Sequence, residues 1–366
     1  MKIDRSLENE VILTARKFAA RHIAPVASDA DHSGPAFPAE VFAKGIEAGF
    51  DRLALPENSG GSGLGMNEVG LLIETLARTC AGHAMVFGVQ AAVTNSLREI
   101  CAEEPGGIAR EMVASRRPIA PALPEPLSGM DFDAGFTIAE KGTGFLVSGE
   151  RLVVNAAPSA AILAFAKDPD GALSAILLDV PGLDSPEPAL GLRAMPIVLL
   201  RLEDYNVPRD RVIARGPAAT DLASGLLRGL CLVASAAASG VMSAACRKAY
   251  AYTAERYQGG KMIIDHSHLR SILGGMSALA KASEGAVRDA AARPEDLLSA
   301  LGTKAAVTGN AVKVCTDAVQ VLGGYGYMRD FGLEKMMRDA AVLSLIPISN
   351  NRAELLMAAI EKESTD

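Results

Sequence analysis

Apolar residues recur at helical spacing over roughly the first 118 residues. Leu7, Val11 and Phe18 share one face of a first helix, and Pro25 stops it. A glycine-rich stretch, Leu55 to Gly65 (LPENSGGSGLG), precedes a second helical run from Glu68 to Arg78. Such a loop before a helix suits phosphate, but it lacks a P-loop lysine and follows no clear strand, so a tight connection between helices is the plainer reading. From about Ile119 the texture changes to strands and turns. Phe145–Val147, Ser148–Gly149 and Glu150–Val154 predict a hairpin turning at the Ser-Gly pair. Asp168–Gly171 (DPDG) predicts a turn between Ala161–Ala166 and Ala175–Val180. After Pro208 helical spacing returns. It includes a run of small residues, Val233 to Gly240, suited to close helix packing, and Pro294 separates two long helices.

Helices, then strands, then helices argue for an α+β protein, mostly α, rather than alternating βαβ units. The expected division is 1–118 helical, 119–207 β and 208–366 helical. No internal repeat is visible. At 366 residues, two or three domains are expected. The net charge of −7 argues against a nucleic-acid partner. No unbroken apolar run approaches ~18 residues, so no membrane span is expected, and the charged N-terminus lacks a signal-peptide core. Cys80, Cys101, Cys231, Cys246 and Cys315 form no CxxC pair and suit a reducing, cytoplasmic setting. His266 and His268, two residues apart, offer no metal spacing.

The run Gln320 to Ala340 (QVLGGYGYMRDFGLEKMMRDA) resembles the C-terminal signature of the acyl-CoA dehydrogenase family of flavoproteins. Three further segments resemble family motifs: the Leu55–Gly65 loop, Pro124–Asp131 (PEPLSGMD), and Leu202–Pro208, which ends the middle domain. The resemblance spans nearly the whole chain. It implies an N-terminal helical domain, a middle β-barrel or sandwich domain and a C-terminal four-helix bundle. It also implies FAD held across a dimer interface, an acyl-CoA substrate, an electron-transfer flavoprotein or similar acceptor, and a homo- or hetero-oligomer (dimer or tetramer).

Carried over residue by residue, the half of the FAD site that one subunit donates to its neighbour's cofactor is largely kept. Arg256 corresponds to the arginine that pairs with pyrophosphate, a task suited to a bidentate guanidinium. Gln258 lies in the same segment, where Gly259 replaces an aromatic and Ser267 a glutamine. Gln320, Gly323 and Gly324 match positions that bring an amide and bare backbone to the dinucleotide. The half that receives the flavin ring is eroded. Around Gly129, Pro124 and Met130 replace hydroxyl residues, and Val153 replaces a tryptophan in a chain with none. Asn155 still offers an amide.

The family's catalytic glutamate aligns with Pro347, within Leu345–Ser349 (LIPIS). Proline has neither a carboxylate to remove an α-proton nor an N–H to bind the thioester oxygen. An alternative family position for the base aligns near Leu230, with Cys231 beside it, and neither is acidic. Glu354 lies one to two turns beyond Pro347 and Asp339 belongs to the Arg-Asp motif, so neither takes that position and the catalytic residue is unknown. The resemblance leaves several functions open: α,β-dehydrogenation of an acyl-CoA, alone or as the base-lacking subunit of a heteromeric enzyme; a flavin monooxygenase or oxidase; or a non-catalytic assembly protein.

Overall fold

The first apolar stripe folds as α1 (Arg5–Phe18), which buries Val11 and Phe18, continues through a π turn to Ile23 and ends before Pro25. The computed structural model describes residues 5–57, 60–98, 100, 107, 111, 113–128, 131–180, 183 and 185–363. Helices α2 (Ala27–His32), α3 (Ala39–Glu47), α4 (Met66–Ala77) and α5 (Ala81–Ser96) follow. The glycine-rich loop is a tight connection. Leu55 O accepts from Gly63 N at 2.8 Å and Leu53 O from Leu64 N at 3.0 Å. A Cβ on Gly61 would stand 2.1 Å from Leu55 O, so glycine is required there by packing.

The middle of the chain is a mixed sheet of β1 (Ile119–Pro121), β4 (Phe136–Lys141), β5 (Gly144–Val154), β6 (Ala161–Lys167), β7 (Leu173–Leu178), β8 (Ile197–Pro208) and β9 (Val212–Arg215). The order is β8-β5-β4-β6-β7-β9, with β1 beside β6. The β4–β6 and β1–β6 pairs are parallel and the others antiparallel. A separate ribbon pairs β2 (Glu125–Ser128) with β3 (Asp131–Asp133). Apolar side chains of the sheet, among them Phe136, Phe145, Val147, Ile162 and Val198, form a core of their own.

The predicted hairpin at Ser148–Gly149 is not a hairpin. Those residues lie inside the single strand β5, at a bulge where the register with β8 shifts. A Cβ on Gly149 would stand 2.2 Å from Gly135 O, so the glycine marks close backbone approach rather than reversal. The chain turns earlier, at Gly142–Thr143 between β4 and β5. The Asp168–Gly171 turn forms as expected: Asp168 O accepts from Gly171 N at 2.9 Å, and the Asp168 carboxylate accepts from the N–H groups of Asp170 and Ala172.

Beyond the sheet come α6 (Pro217–Glu255), the ribbon β10 (Tyr257–Gln258) and β11 (Lys261–Met262), α7 (Ser267–Ala291), α8 (Leu297–Leu322), α9 (Gly324–Tyr327), α10 (Leu333–Leu343) and α11 (Asn350–Glu363). Helix α6 is the spine of the molecule. It packs on α4 and α5 on one side and on α7 and α8 on the other. Its small residues permit this. A Cβ on Gly240 would stand 2.2 Å from Glu74 O, and one on Gly229 3.2 Å from Ala92 Cβ. Among the described residues α6 alone is long and apolar enough to cross a membrane, but 89% of its apolar window is buried inside the fold, as in a core helix. The break at Pro294 holds: α7 ends at Ala291, and Asp296 caps α8 by accepting from Ser299 N at 2.9 Å. The architecture is α+β and mostly helical, with an N-terminal helical part, a middle mixed sheet and a C-terminal helical bundle.

Candidate functional site

Helix α6 ends at Glu255, and the carbonyl of the next residue, Arg256, accepts from Ile263 N at 2.8 Å and so brings the β10–β11 ribbon back across the helix end. The ribbon turns at Gly259–Gly260, with φ of +67° and +84°, values suited to glycine in a tight hairpin. His266 contacts Gln258 O through Nε2 at 2.9 Å, a structural role for one of the two histidines considered above. Helix α8 ends beside this ribbon. Gly323 stops it with φ +58° and ψ −133°, a conformation that penalises any Cβ.

Arg256, Gln258, Gln320 and Gly323 line one cavity of about 460 Å³, together with Tyr252 and His268. Gly324 follows directly, and a Cβ there would meet nothing within 4 Å, so within this chain nothing demands the glycine. Arg256 is exposed, and its guanidinium lies 5.9 Å from the centre of the Tyr325 ring, which orients it by cation–π attraction. Tyr257, Tyr325 and Tyr327 are 63%, 49% and 76% exposed, an aromatic surface next to the cavity. A permanent cation with a forked donor, two amides and bare backbone make a chemically fitting cradle for a diphosphate.

The residues expected to face a flavin ring are elsewhere, and neither lines that cavity. Val153 and Asn155, at the end of β5, are both 0% exposed. Asn155 adopts φ +59° and donates through Nδ2 to Val86 O of α5 at 3.4 Å, while its Oδ1 is buried with no partner. Pro124 is buried just ahead of β2. Gly129 and Met130 lie outside the described residues. Arg352 of α11 donates from Nε to Pro126 O at 2.9 Å, tying the β2–β3 ribbon to the last helix.

The segment carrying Pro347 is fixed at both ends. Upstream, Arg338 grips Asp31 through two nitrogens (3.1 and 2.6 Å) and donates to Leu190 O at 2.9 Å. Asp339 accepts from Leu192 N at 2.7 Å and from Lys335 at 2.5 Å. Burial opposes ionisation of Asp31, but the Arg338 hydrogen bonds and neighbouring cations hold its carboxyl below the usual range. With both oxygens engaged, Asp339 is a structural carboxylate. Glu354 is exposed on α11, whereas Leu230 and Cys231 are buried on α6. Burial pushes the Cys231 thiol up to about 12.

Sequence reasoning missed Lys304. Its side chain is fully buried, and Nζ donates to Ser344 O at 2.8 Å, to Ile348 O and to Asn350 Oδ1 at 2.7 Å. One ammonium therefore spans the segment that carries half-buried Pro347. Burial lowers the Lys304 pKa to about 8, with Cys231 acting weakly the other way. The one sequence signal was a lysine on a helix face shared with Leu301, Val307 and Thr308, all buried.

Residues 7–105 match the family profile "Acyl-CoA dehydrogenase, N-terminal domain" and residues 223–347 the profile "Acyl-CoA dehydrogenase, C-terminal domain", together more than half of the chain. Among curated relatives, a probable acyl-CoA dehydrogenase, fadE25, of Mycobacterium leprae is 29% identical over 96% of this chain and 94% of its own length. Among solved structures, butyryl-CoA dehydrogenase from Megasphaera elsdenii superposes with a TM-score of 0.88 at 22% identity, covering 99% of this chain and 100% of that one. A chain from the structure of the electron transferring flavoprotein of Acidaminococcus fermentans gives 0.90 at 24% identity, covering 99% of each. The structural likenesses agree with the fold, and the two profiles fix the lineage: the chain belongs to the acyl-CoA dehydrogenase family.

Proposed function

We propose that this chain is a flavin-dependent subunit of acyl-CoA oxidation that lacks the glutamate base at Pro347 and works with a base-bearing relative. In this reading Arg256, Gln258, Gln320, Gly323 and Gly324 are donated to the diphosphate end of an FAD whose ring rests on the other polypeptide. FAD, when bound, supplies the hydride acceptor for α,β-dehydrogenation of the thioester, and an electron-transferring flavoprotein is the expected partner for reoxidation. What this chain supplies is binding: Arg256 as the charge-assisted clamp, the two glutamines as amide partners, and the glycine backbone as a surface without Cβ.

The observation that carries the reading is the asymmetry between the two groups of residues. Arg256, Gln258, Gln320 and Gly323 share one open cavity at the ends of α6 and α8, which supports a role in holding a diphosphate. Val153 and Asn155 are fully buried, Val153 in the core of the sheet and Asn155 against α5. Pro347 adds that the chain's own loop has no proton acceptor, and Lys304, the side chain that holds the loop, is a cation rather than a base. The protein purified alone is expected to carry well under one FAD per chain and to oxidise saturated acyl-CoAs poorly with an artificial electron acceptor. Co-expression with a glutamate-bearing family member should raise FAD content toward one per two chains, and Arg256→Ala should lower it again. One FAD per chain in the isolated protein, with robust turnover, overturns the partner-subunit reading and leaves a self-sufficient dehydrogenase.

A further inference from the structure

Cys80 stands at the N-terminus of α5, away from the Arg256 cavity. It belongs to a cluster drawn from distant parts of the chain. Its sulfur lies 3.2 Å from His83 Nδ1 and 3.4 Å from Lys335 Nζ on α10. His83 is fully buried, its Nε2 has no hydrogen-bond partner among the described residues, and its Nδ1 faces the sulfur. Lys335 also donates to Asp339, so its ammonium is anchored between a carboxylate and the sulfur. The first-turn N–H groups of α5 add positive potential at the same place.

Cys80 and Lys335 line a cavity of about 410 Å³, with Asp31, His32, Lys248 and Arg329 among its walls. The cavity brings small solutes to a sulfur that is otherwise 4% exposed. Cys231, Cys246 and Cys315 have no such setting, and burial pushes all three thiols up. At Cys80 burial and Asp339 also oppose ionisation, but Lys335 and then His83 outweigh them and bring the thiol down to about 7.

We propose that Cys80 is a peroxide-reactive thiolate whose oxidation joins it covalently to Lys335. The Cys80 thiolate attacks one oxygen of hydrogen peroxide, and the O–O bond breaks. The departing hydroxide takes a proton from the Lys335 ammonium and leaves as water. Sulfur has lost two electrons to the peroxide, giving a sulfenic acid beside a neutral amine. The Lys335 nitrogen then attacks this sulfur. An S–N bond forms, the S–O bond breaks, and the hydroxyl leaves with a proton of the amine as a second water. The product is a sulfenamide, two hydrogens lighter than the reduced pair and reopened by thiols. It fastens the start of α5 to the helix that leads into the Pro347 segment, and it removes from Asp339 the charge that now faces it.

The test uses the full-length wild-type protein, treated with hydrogen peroxide, blocked with iodoacetamide and mapped by peptide mass spectrometry. Cys80 should lose alkylation at least about tenfold faster than Cys231, Cys246 or Cys315, as its thiolate fraction requires. The Cys80 and Lys335 peptides should appear joined, at their summed mass less two hydrogens, and dithiothreitol should separate them. Lys335→Arg keeps a cation beside the sulfur but cannot release a free amine; there oxidation should stop at a sulfenic acid that dimedone captures. Oxidation of Cys80 no faster than that of the other cysteines overturns the proposal. So does full oxidation of Cys80 in the wild-type protein without the joined peptide.

Discussion

Replacing Lys304 with methionine isolates the link that holds the Pro347 segment. Two of its three acceptors keep other partners: Ser344 O still accepts from Asn350 N at 3.0 Å, and Asn350 Oδ1 from Thr308 at 2.9 Å. Only Ile348 O is left without a bond among the described residues, a cost of about 1–3 kcal/mol. The two weakened acceptors add about 1 kcal/mol each. Against this, methionine removes a buried ammonium whose pKa has fallen from 10.5 to about 8. That fall corresponds to roughly 3 kcal/mol at about 1.4 kcal/mol per pKa unit. Global stability at pH 7 should therefore change little, with a thermal midpoint within a few degrees of wild type. Local order should change much more. Amide exchange at Ile348 and Asn350 should accelerate about 10- to 100-fold, the equivalent of ~1.4–2.8 kcal/mol. A pH signature accompanies it. Between the folded pKa of about 8 and the unfolded 10.5, the unfolded chain binds the proton that the native chain has lost. Wild-type stability therefore rises with pH in that window relative to Lys304→Met, by up to about 1.4 kcal/mol per pH unit. The buried thiols raised by burial act oppositely above pH ~9; those of Cys246 and Cys315 cancel in the difference, whereas Cys231, which interacts with Lys304, is replaced by alanine in both proteins so that it does too. Unchanged exchange at the loop amides, with no divergence in stability above pH 8, would refute the assignment of Lys304 as its anchor.

Pro347→Glu introduces a carboxylate and an N–H, but in the isolated chain it should raise acyl-CoA oxidation by less than the ~10² that one oxyanion donor is worth; a larger gain in dye-linked turnover would show that this chain seats its own flavin. Asp31→Asn weakens the two-pronged contact with Arg338 and should cost about 2–3 kcal/mol, seen as a midpoint lowered by roughly 3–4 °C in a chain of this length. Because the Asp31 carboxyl is held below its ordinary 3.8, that contribution is complete above this value and is lost only as pH falls through the folded pKa; the gap between variant and wild type should stay constant to about pH 4 and close below it. Gly323→Ala meets no atom within 4 Å but must hold φ +58°, so it should cost about 1–2 kcal/mol through the backbone alone.

Much of the fold was legible because the signals that set it are local. The helical spacing of Leu7, Val11 and Phe18, the DPDG turn and the break at Pro294 each act within a few residues, and each appears where the sequence placed it. Ser148–Gly149 failed because a Ser-Gly pair between apolar runs has two meanings, reversal or bulge. The choice was made by β8, fifty residues on, which pairs with both halves of β5 and needs them continuous. Arg256, Gln320 and Gly323 were picked out by resemblance to family motifs rather than by local punctuation, and the fold brings these three to one cavity at two helix ends. Lys304 and Cys80 were not. A lysine in a small-residue helix looks solvated until Ser344, Ile348 and Asn350 arrive 40–46 residues later, and the cation beside Cys80, Lys335, is 255 residues away.

The same distinction bears on the proposed division of labour. A cradle built from helix ends is made once the bundle folds, since Arg256 and Gly323 need only α6 and α8 in register. A ring seat is different, because it requires β5, the β2–β3 ribbon and α5 to leave a gap of the right polarity. Here Val153 is buried in the sheet's own core, and Asn155 spends its side-chain hydrogen bond on Val86 O of α5 while its Oδ1 has no partner among the described residues. Opening it means breaking a bond of only 3.4 Å but also exposing a buried valine, about 1.5–3 kcal/mol against cofactor binding. That penalty falls on every ring seat in a homodimer and on none that a relative supplies. If it is what limits cofactor occupancy, then FAD content of the isolated chain should rise with Val153→Ala, which trims a buried side chain at the end of β5, and that of the mixed complex should not.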